Sequence, residues 1–461
     1  MTWRTSCCPS RRRNPYGHHS VCGGARAAPS GQPPIINLAP RDVEALADEL
    51  LAYHAHFAPL FHRAEQRQWA LTYLHGQLLN LERKSIEPMA LALADGDVQA
   101  MQQFISLGAW DDAAVLKTHR QLVADSLGDL DTGVLIIDGC DFPKQGRHSV
   151  GVARQWCGAL GKVANCQASV VACYASQHGY TLVDRRLYMP KQWFTPAYQN
   201  RRDRCGVPAD LPFQTQPELA WTLIVQVHKQ QVLPFAWVIA DEHFGNNPVL
   251  RDRIAAAKVR YLMEVPHDTL VWPERPATAV PLPNGKQGRR PQRARLVADA
   301  PAPIRVDAVA ADPTLRWHAY QIQQGAKGPL IALFACVRVV MVRDHLPGAE
   351  LWLLLWRSLG ERPQLKTYLS NAPPSTPHAT LVRKSGMRWP VELAILESKS
   401  ELGMDQYEVR SWRGWHHHMT MTLLAHHFLV RQRCHLGKKI SGVDGAASAA
   451  ALADRFTQTA A

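Results

Sequence analysis

At 461 residues the chain can form two or three domains with cores of their own, and its 46% apolar and 20% charged residues are those of a folded protein rather than a disordered one. A net charge of +13 favours a polyanionic partner, nucleic acid ahead of an anionic membrane. The longest apolar runs, PLIALFACV (329–337) and LWLLLW (351–356), are far short of the roughly 20 residues that a spanning helix needs, so no membrane role is expected.

Residues 1–34 read as a disordered basic leader, rich in Arg, Pro, Gly and Ser and lacking any acid. No apolar segment follows Arg11–Arg13, which argues against a secretory signal. Ten scattered cysteines fit a reducing compartment, so a cytoplasmic location is expected. Cys7, Cys8, His18, His19 and Cys22 match no zinc-ligand spacing.

Residues 35–125 carry a helical signal. Leu46, Leu50, Leu51 and His54 recur at helix spacing, as do Leu71, Leu74, Leu78 and Leu81. Asp95-Gly96-Asp97 marks a turn, and another helix starts near Met101. Arg63, Arg67, Arg83 and Lys84 lie off the apolar stripes, giving either a DNA-reading face or a solvated one.

From Val134 the pattern changes. VLIID (134–138) is a short strand ending in an acid, followed by a loop rich in Gly, Pro and Lys. Strand-like ASVVACYAS (168–176) and TLVDRRLYMP (181–190) come next, then helical WTLIVQVHKQ (221–230). A second strand ends in an acid, PFAWVIAD (234–241); helical PVLRDRIAAAKV (248–259) and the buried strand RYLMEV (260–265) complete an α/β unit over 126–272. Residues 273–375 combine a Pro-rich basic linker, including GKQGRRPQRAR (285–295), with an antiparallel meander. Helix resumes in 376–440, and 441–461 reads as a flexible tail.

Asp138 and Asp241 follow strands, and Glu392 sits in helical RWPVELAILESKSELG, with Arg388 one turn before it and Lys399 two turns after. Phosphodiester chemistry needs the attacking and leaving oxygens stabilised together, which paired divalent ions roughly 4 Å apart achieve. Mg²⁺ takes hard carboxylate oxygens and keeps waters, so a few convergent acids suffice. Ligands of open α/β sheets gather beyond the carboxyl ends of strands, where two of these acids lie. By spacing alone, a turn-capping Asp after each strand and a surface Glu explain the same residues.

The surrounding residues are more specific. IIDGCDFPKQGRHSVGVARQWCGALGKVANCQ (136–167), VIADEHFGNNPVLRDRI (238–254) and RWPVELAILESKSELGMDQYEVRSWRGWHHHMTMTLLAHHFL (388–429) resemble, in order, the first-Asp, second-Asp and Glu regions of DDE insertion-sequence transposases of the seven-oh-one type. That branch is related to the four-type group, and YLHGQLLNLERKSIEPMA (73–90) and MQQFISLGAWDD (101–112) fit as well, so the resemblance spans about 55–430. It implies an α/β, RNase H-like catalytic core with an antiparallel β insertion and an N-terminal helical region. It implies cleavage at transposon ends and 3′-OH strand transfer into target DNA. Mg²⁺, or Mn²⁺ as substitute, would be held by Asp138, Asp241 and Glu392, with Arg388 and Lys399 on DNA phosphates. The DNA partners would be terminal inverted repeats and target, with a homo-oligomer bringing two ends together. Three positions depart from the family pattern: Asp138-Gly139-Cys140-Asp141 replaces Asp-Asp-Thr-Gly, Ser385 replaces a Tyr, and Glu242 a small residue. Asp141 is thus an alternative first ligand, and a decayed DNA-binding derivative an alternative function.

Lys144, Arg147, His148, Arg154 and Lys162 form a Gly-rich basic loop beside the first acid, a place for backbone and cation to meet DNA; it is no P-loop, since GxxxxGK[ST] is absent. Arg410 and Arg413 are further DNA-contact candidates, and Trp412 and Trp415 could flank a channel or fill a core. His416, His417, His418, His426 and His427 suggest a metal, but consecutive helical residues point about 100° apart and cannot all chelate one ion.

Overall fold

A computed structural model describes residues 40–281, 292–325 and 328–439. The leader with its cysteines and histidines, the tail from 440 onward and most of the basic linker lie outside the described residues.

Among the described residues five α-helices come first: α1 (Pro40–Ala55), α2 (Ala64–Leu78), α3 (Ile86–Leu91), α4 (Val98–Ser106) and α5 (Asp112–Leu127). The Asp95–Asp97 turn does separate two of them, with the Asp97 side chain accepting from Ala100 N at 2.7 Å as the cap of α4. The core follows as β1 (Val134–Pro143), β2 (Ala153–Cys157), β3 (Lys162–Ser176), β4 (Gly179–Tyr188), α6 (Gln199–Arg204), α7 (Gln216–Gln230), β5 (Trp237–Ala240), α8 (Glu242–Gly245), α9 (Pro248–Ala256) and β6 (Arg260–Glu264). Thr215 and Glu218 form a capping box that starts α7 ahead of its apolar run.

β1 pairs antiparallel with β3 and β3 with β4, while β5 lies parallel to β1 on its other edge and β6 parallel to β5. The order β4-β3-β1-β5-β6 is the RNase H-like arrangement. Two expectations need correction. β1 runs on past Asp138 to Pro143, and much of the stretch expected to be loop is β2 and the first half of β3. Ladder pairing, not apolar content, holds these extensions: Pro143 opposes Cys166 and Ala153 opposes Cys166 from the other side.

The insertion continues the same sheet. It comprises β7 (Leu270–Trp272), the small pair β8 (Thr278–Ala279) and β9 (Arg295–Leu296), β10 (Ile304–Arg305), α10 (Val306–Ala310), β11 (His318–Gly325), β12 (Gly328–Arg343), β13 (Leu346–Ser358) and β14 (Leu365–Ser370). β14 joins β6 antiparallel, so the meander is an extension of the catalytic sheet. Three helices come last among the described residues: α11 (His378–Gly386), α12 (Trp389–Ser400) and α13 (Trp412–Lys439).

The two faces of the sheet bury separate cores. Val134, Ile136, Ile239 and Leu262 pack on the side covered by α12 and α13. Leu135, Ile137, Val238 and Met263 pack on the side of α7 and α9. Full burial of such a side chain contributes roughly 1.5–3 kcal/mol, so the register of the central strands is strongly fixed. The N-terminal helices are not an independent layer. Tyr53 Oη donates to the Leu424 carbonyl at 3.1 Å, and Gln77 Nε2 donates to Thr422 Oγ1 at 2.8 Å, both on α13. Lys84 is buried and donates to the Gln77 carbonyl at 2.9 Å and to the Glu401 carbonyl, so it belongs to no exposed basic face. Arg67 donates to the Phe61 carbonyl and Arg83 pairs with Glu408.

Candidate active site

Register builds the site. Ile137 opposes Ala240 on the parallel pair β1–β5, and Ala240 opposes Met263 on β5–β6. The residue that follows each is an acid: Asp138 on β1, Asp241 just past the end of β5, and Glu264 on β6. Neighbouring strands lie about 4.8 Å apart, so the three acids stand abreast at that spacing. Alternation puts them on the face of Ile136, Ile239 and Leu262, the one that α12 covers. α12 brings Glu392 over this row, in its first turn.

Local sequence explains the approach. Pro390 lies in the first turn of α12, where a missing N–H costs nothing. The helix ends before Gly403, whose φ of 67° is left-handed and whose added Cβ would meet Lys84 Cβ at 2.6 Å. Asp241 caps α8, its Oδ1 accepting from Phe244 N at 3.4 Å. Gly245 at the end of α8 lies against the Glu264 carbonyl, 1.9 Å from where a Cβ would stand. Only glycine permits that approach.

The electrostatics are those of converging negative charge. Burial, then Asp241 and Glu392, push the Asp138 carboxyl up to about 7, against the opposing pull of Arg388 and of Gly139 N, which donates to Oδ1 at 2.7 Å. Arg388 lies among the acids, with Nη1 3.8 Å from Asp138 Oδ2 and Nη2 bonded to Glu392 Oε1. Burial works against its charge, yet Glu392, Asp138, Asp241 and Glu264 together hold the guanidinium above its usual value. Four acids therefore surround one cation. Glu264 also pairs with Lys366 Nζ at 3.4 Å. Sequence reasoning passed over Glu264, although RYLMEV carries an acid at the end of its strand as the other two do; the signal was the repetition.

Asp141 points elsewhere. Three residues beyond Asp138 on the same strand, it falls on the opposite face, and Gly158 N donates to its Oδ2 at 2.5 Å. Burial raises its pKa, countered by that hydrogen bond, Lys399 and His243. Glu397, further along α12 than Glu392, faces the core: Tyr180 Oη donates to Oε1 at 3.0 Å, Arg433 donates to Oε1 at 2.9 Å, and His426 lies 3.1 Å from Oε2. Burial opposes its ionisation, but these partners lower it to about 2.

The basic residues divide. Lys399 Nζ donates to the Asp141 carbonyl at 2.9 Å, two turns along α12 from Glu392. Lys144 is drawn onto Tyr407, with Nζ 3.4 Å from the ring centre and donating to the Tyr407 carbonyl at 3.2 Å; burial lowers it to about 8. Arg147, Lys162 and Arg410 are exposed. Arg413 is exposed too, although its Nη1 donates to the Leu107 carbonyl at 3.0 Å. Trp415 is fully buried, a core residue rather than a channel wall, and Trp412 is partly buried.

His416, His417, His418, His426 and His427 of α13 are core as well. His418 is 2.8 Å from Tyr73 Oη and 3.2 Å from the Met404 carbonyl; His427 is 3.1 Å from Tyr53 Oη and 2.9 Å from Ser126 Oγ. His417 lies between the Ile105 and Trp110 carbonyls, and His416 faces the Trp412 carbonyl. Burial lowers all five, His417 to about 4.

Among the described residues, no three His, Cys, Asp or Glu are gathered closely enough to hold a metal ion as they stand. The chemistry of the carboxylates nevertheless fits a divalent cation: they are hard oxygen donors, half-buried and mutually repelling, and Arg388 offsets only part of their charge.

Residues 56–329, more than half of the chain, match the family described as DDE superfamily endonuclease. The chain is 26% identical over 179 residues to a "Probable transposase for insertion sequence element IS701" from Microchaete diplosiphon, covering 39% of this chain and 43% of that protein. It thus spans less than half the length of that relative. Among solved structures it is similar to the piggyBac transposase synaptic complex with hairpin DNA (TM-score 0.38, 9% identity, 90% of this chain and 79% of that one). It is also similar to the NurA nuclease from Sulfolobus solfataricus (TM-score 0.24, 11% identity, 64% and 86%). No helix among the described residues is long and apolar enough to cross a membrane.

Proposed function

This chain belongs to the DDE superfamily endonuclease family, and on that footing we propose that it is an insertion-sequence transposase whose metal ligands are Asp138, Asp241 and Glu392. It cleaves DNA at the ends of its element and joins the freed 3′-OH to target DNA. The observation that carries this reading is the register-matched pair Asp138 and Asp241 beneath Glu392, with the Asp138 carboxyl raised by burial and the neighbouring charges. Mg²⁺, or Mn²⁺ in its place, would supply charge neutralisation and an activated oxygen nucleophile. The opposite-face direction of Asp141 favours Asp138 as the first ligand.

The protein's own groups have defined parts. Asp241 is fixed by capping α8, and Glu392 by the first turn of α12. Arg388 holds the unliganded carboxylates together; released from Glu392, it reaches a phosphate from the edge of the same site. Lys399, Arg147, Lys162, Arg410 and Arg413 extend a basic track for the DNA backbone, while Lys144 chiefly braces the loop against Tyr407. We assign 126–272 and 376–440 to the catalytic core, 273–375 to the insertion and 35–125 to a helical cap that touches DNA at its edge. Two ends joined to one target require two such sites, hence a homo-oligomer on DNA, in the cytoplasm.

A derivative that binds without cutting is less well supported, since Asp138, Asp241 and Glu392 remain grouped. The test is Mg²⁺- or Mn²⁺-dependent nicking and strand transfer on a duplex carrying the inverted repeats that flank this reading frame. Activity is expected in the wild type and absent in Asp241→Ala and Glu392→Ala; full activity in either variant removes the mechanism.

A further inference from the structure

Away from the carboxylates, a cavity of about 450 Å³ opens between the β1–β2 loop and the segment around α6. Its volume is in the range of small-ligand sites, and among the residues that line it are three arginines, Arg147, Arg154 and Arg201, and the amides of Gln145, Asn165 and Gln192, with no acid. Among the described residues none of the three arginines has a carboxylate partner. The site is built rather than incidental. Asn165 Nδ2 donates to the Lys144 carbonyl at 2.6 Å and to the Gly146 carbonyl at 2.9 Å, which fixes the loop that carries Arg147. Arg154 stands opposite Asn165 on the β2–β3 ladder. Arg201 lies over the Tyr198 ring, 5.1 Å from its centre, so its guanidinium is oriented by packing.

Three guanidinium groups around amide side chains, with no acid among them, make a receptor for a phosphate group. We propose that this cavity grips one backbone phosphate of duplex DNA, at a fixed distance from the bond that is cut. The distance follows from the ladder. Asp138 opposes Val171, and Lys144 N donates to the Asn165 carbonyl, so the cavity lies about six residues along the same pair of strands. At about 3.4 Å per residue this is roughly 20 Å. The proposal rests on the DNA-transposase reading but does not need the chemistry, only the binding.

The test uses the full chain with Arg154→Gln, Arg201→Gln and their double variant, and a mixed-sequence duplex titrated over salt. The slope of log K against log salt should shrink by about 0.9 for each phosphate that a variant no longer neutralises. Ethylation interference on a duplex carrying the element's inverted repeat should reveal a phosphate whose ethylation weakens binding to wild type and has no effect on the double variant. Arg154→Lys, which keeps charge at a surface position, controls for folding and should keep most of the slope. An unchanged slope and interference pattern in double-variant protein that melts like wild type would overturn the proposal. So would inorganic phosphate protecting wild type from thermal unfolding, but not the double variant, while DNA binding stays the same in both. Asp241→Asn separates the two readings, because it should bind DNA with the wild-type slope and not cut it.

Discussion

Two clusters of titratable side chains, one along α13 and one at strand ends beneath α12, have opposite fates. The histidines of α13 and the acids around α12 could each be drawn as a metal site from sequence. Each of the five histidines between His416 and His427 has found an oxygen to bond within the fold, and burial keeps the rings neutral. The acids beneath α12 stay mutually repelling: Asp138, Asp241, Glu264 and Glu392 all face Arg388, only Glu264 has a further cation in Lys366, and the Asp138 carboxyl is raised by burial and by its neighbours' charge. A buried polar group with its bonds complete is structure. A half-buried group whose neighbours repel it is a candidate ligand site, because folding alone gains nothing from the repulsion.

The contrast is sharpest for activity. Asp138→Asn should abolish metal-dependent nicking, by on the order of 10⁴-fold or more since the ligands act as a unit. Asp141→Asn on the opposite face should retain most of it. Equal losses in a nicking assay would erase the distinction between the two faces. Next in size is stability. His418→Ala removes a buried ring that bridges Tyr73 and Met404, and should cost on the order of 3 kcal/mol in chemical denaturation. Glu392→Gln should cost nothing measurable there. A His418→Ala protein as stable as wild type would mean the histidine cluster is not core.

Acid should expose the same difference. His418 and His417 have folded values below the unfolded value of about 6.5. The unfolded state therefore takes up protons first as pH falls. Their stabilisation is complete above about pH 6.5 and is lost below it, by up to about 1.4 kcal/mol per pH unit for each ring, until the folded value is reached. Melting temperatures between about pH 7 and pH 5 should fall less steeply in His418→Asn than in wild type; parallel slopes would contradict the neutral buried ring. The smallest effect is expected at Glu264. As a neighbour of the ligands rather than one of them, Glu264→Gln should shift the divalent-ion requirement for nicking by about tenfold. No shift would reduce Glu264 to the partner of Lys366.

Much of this was legible in the chain. Two apolar strands ending in acids drew attention to Asp138 and Asp241, and the resemblance of their surroundings, with Arg388 and Lys399 flanking Glu392, put the three forward as a set. What sequence could not supply was register. Nothing local says that Ala240 lies between Ile137 and Met263, so Glu264 passed as the end of another buried strand. Gly, Lys and Arg between 139 and 167 suggested a loop, whereas β2 and β3 form there because partner strands are present. Lys84 looked like part of a basic face and is instead buried against the carbonyls of Gln77 and Glu401, the latter 317 residues away in sequence.

The central claim is that the acids, not the histidines, bind the divalent ion. Mn²⁺ titration of the full chain, followed by electron paramagnetic resonance, reads this without any DNA. Binding is expected in wild type and in His418→Asn, and loss in the Asp138→Asn, Asp241→Asn double variant. Unchanged binding in that double variant, with loss in His418→Asn, would contradict the account.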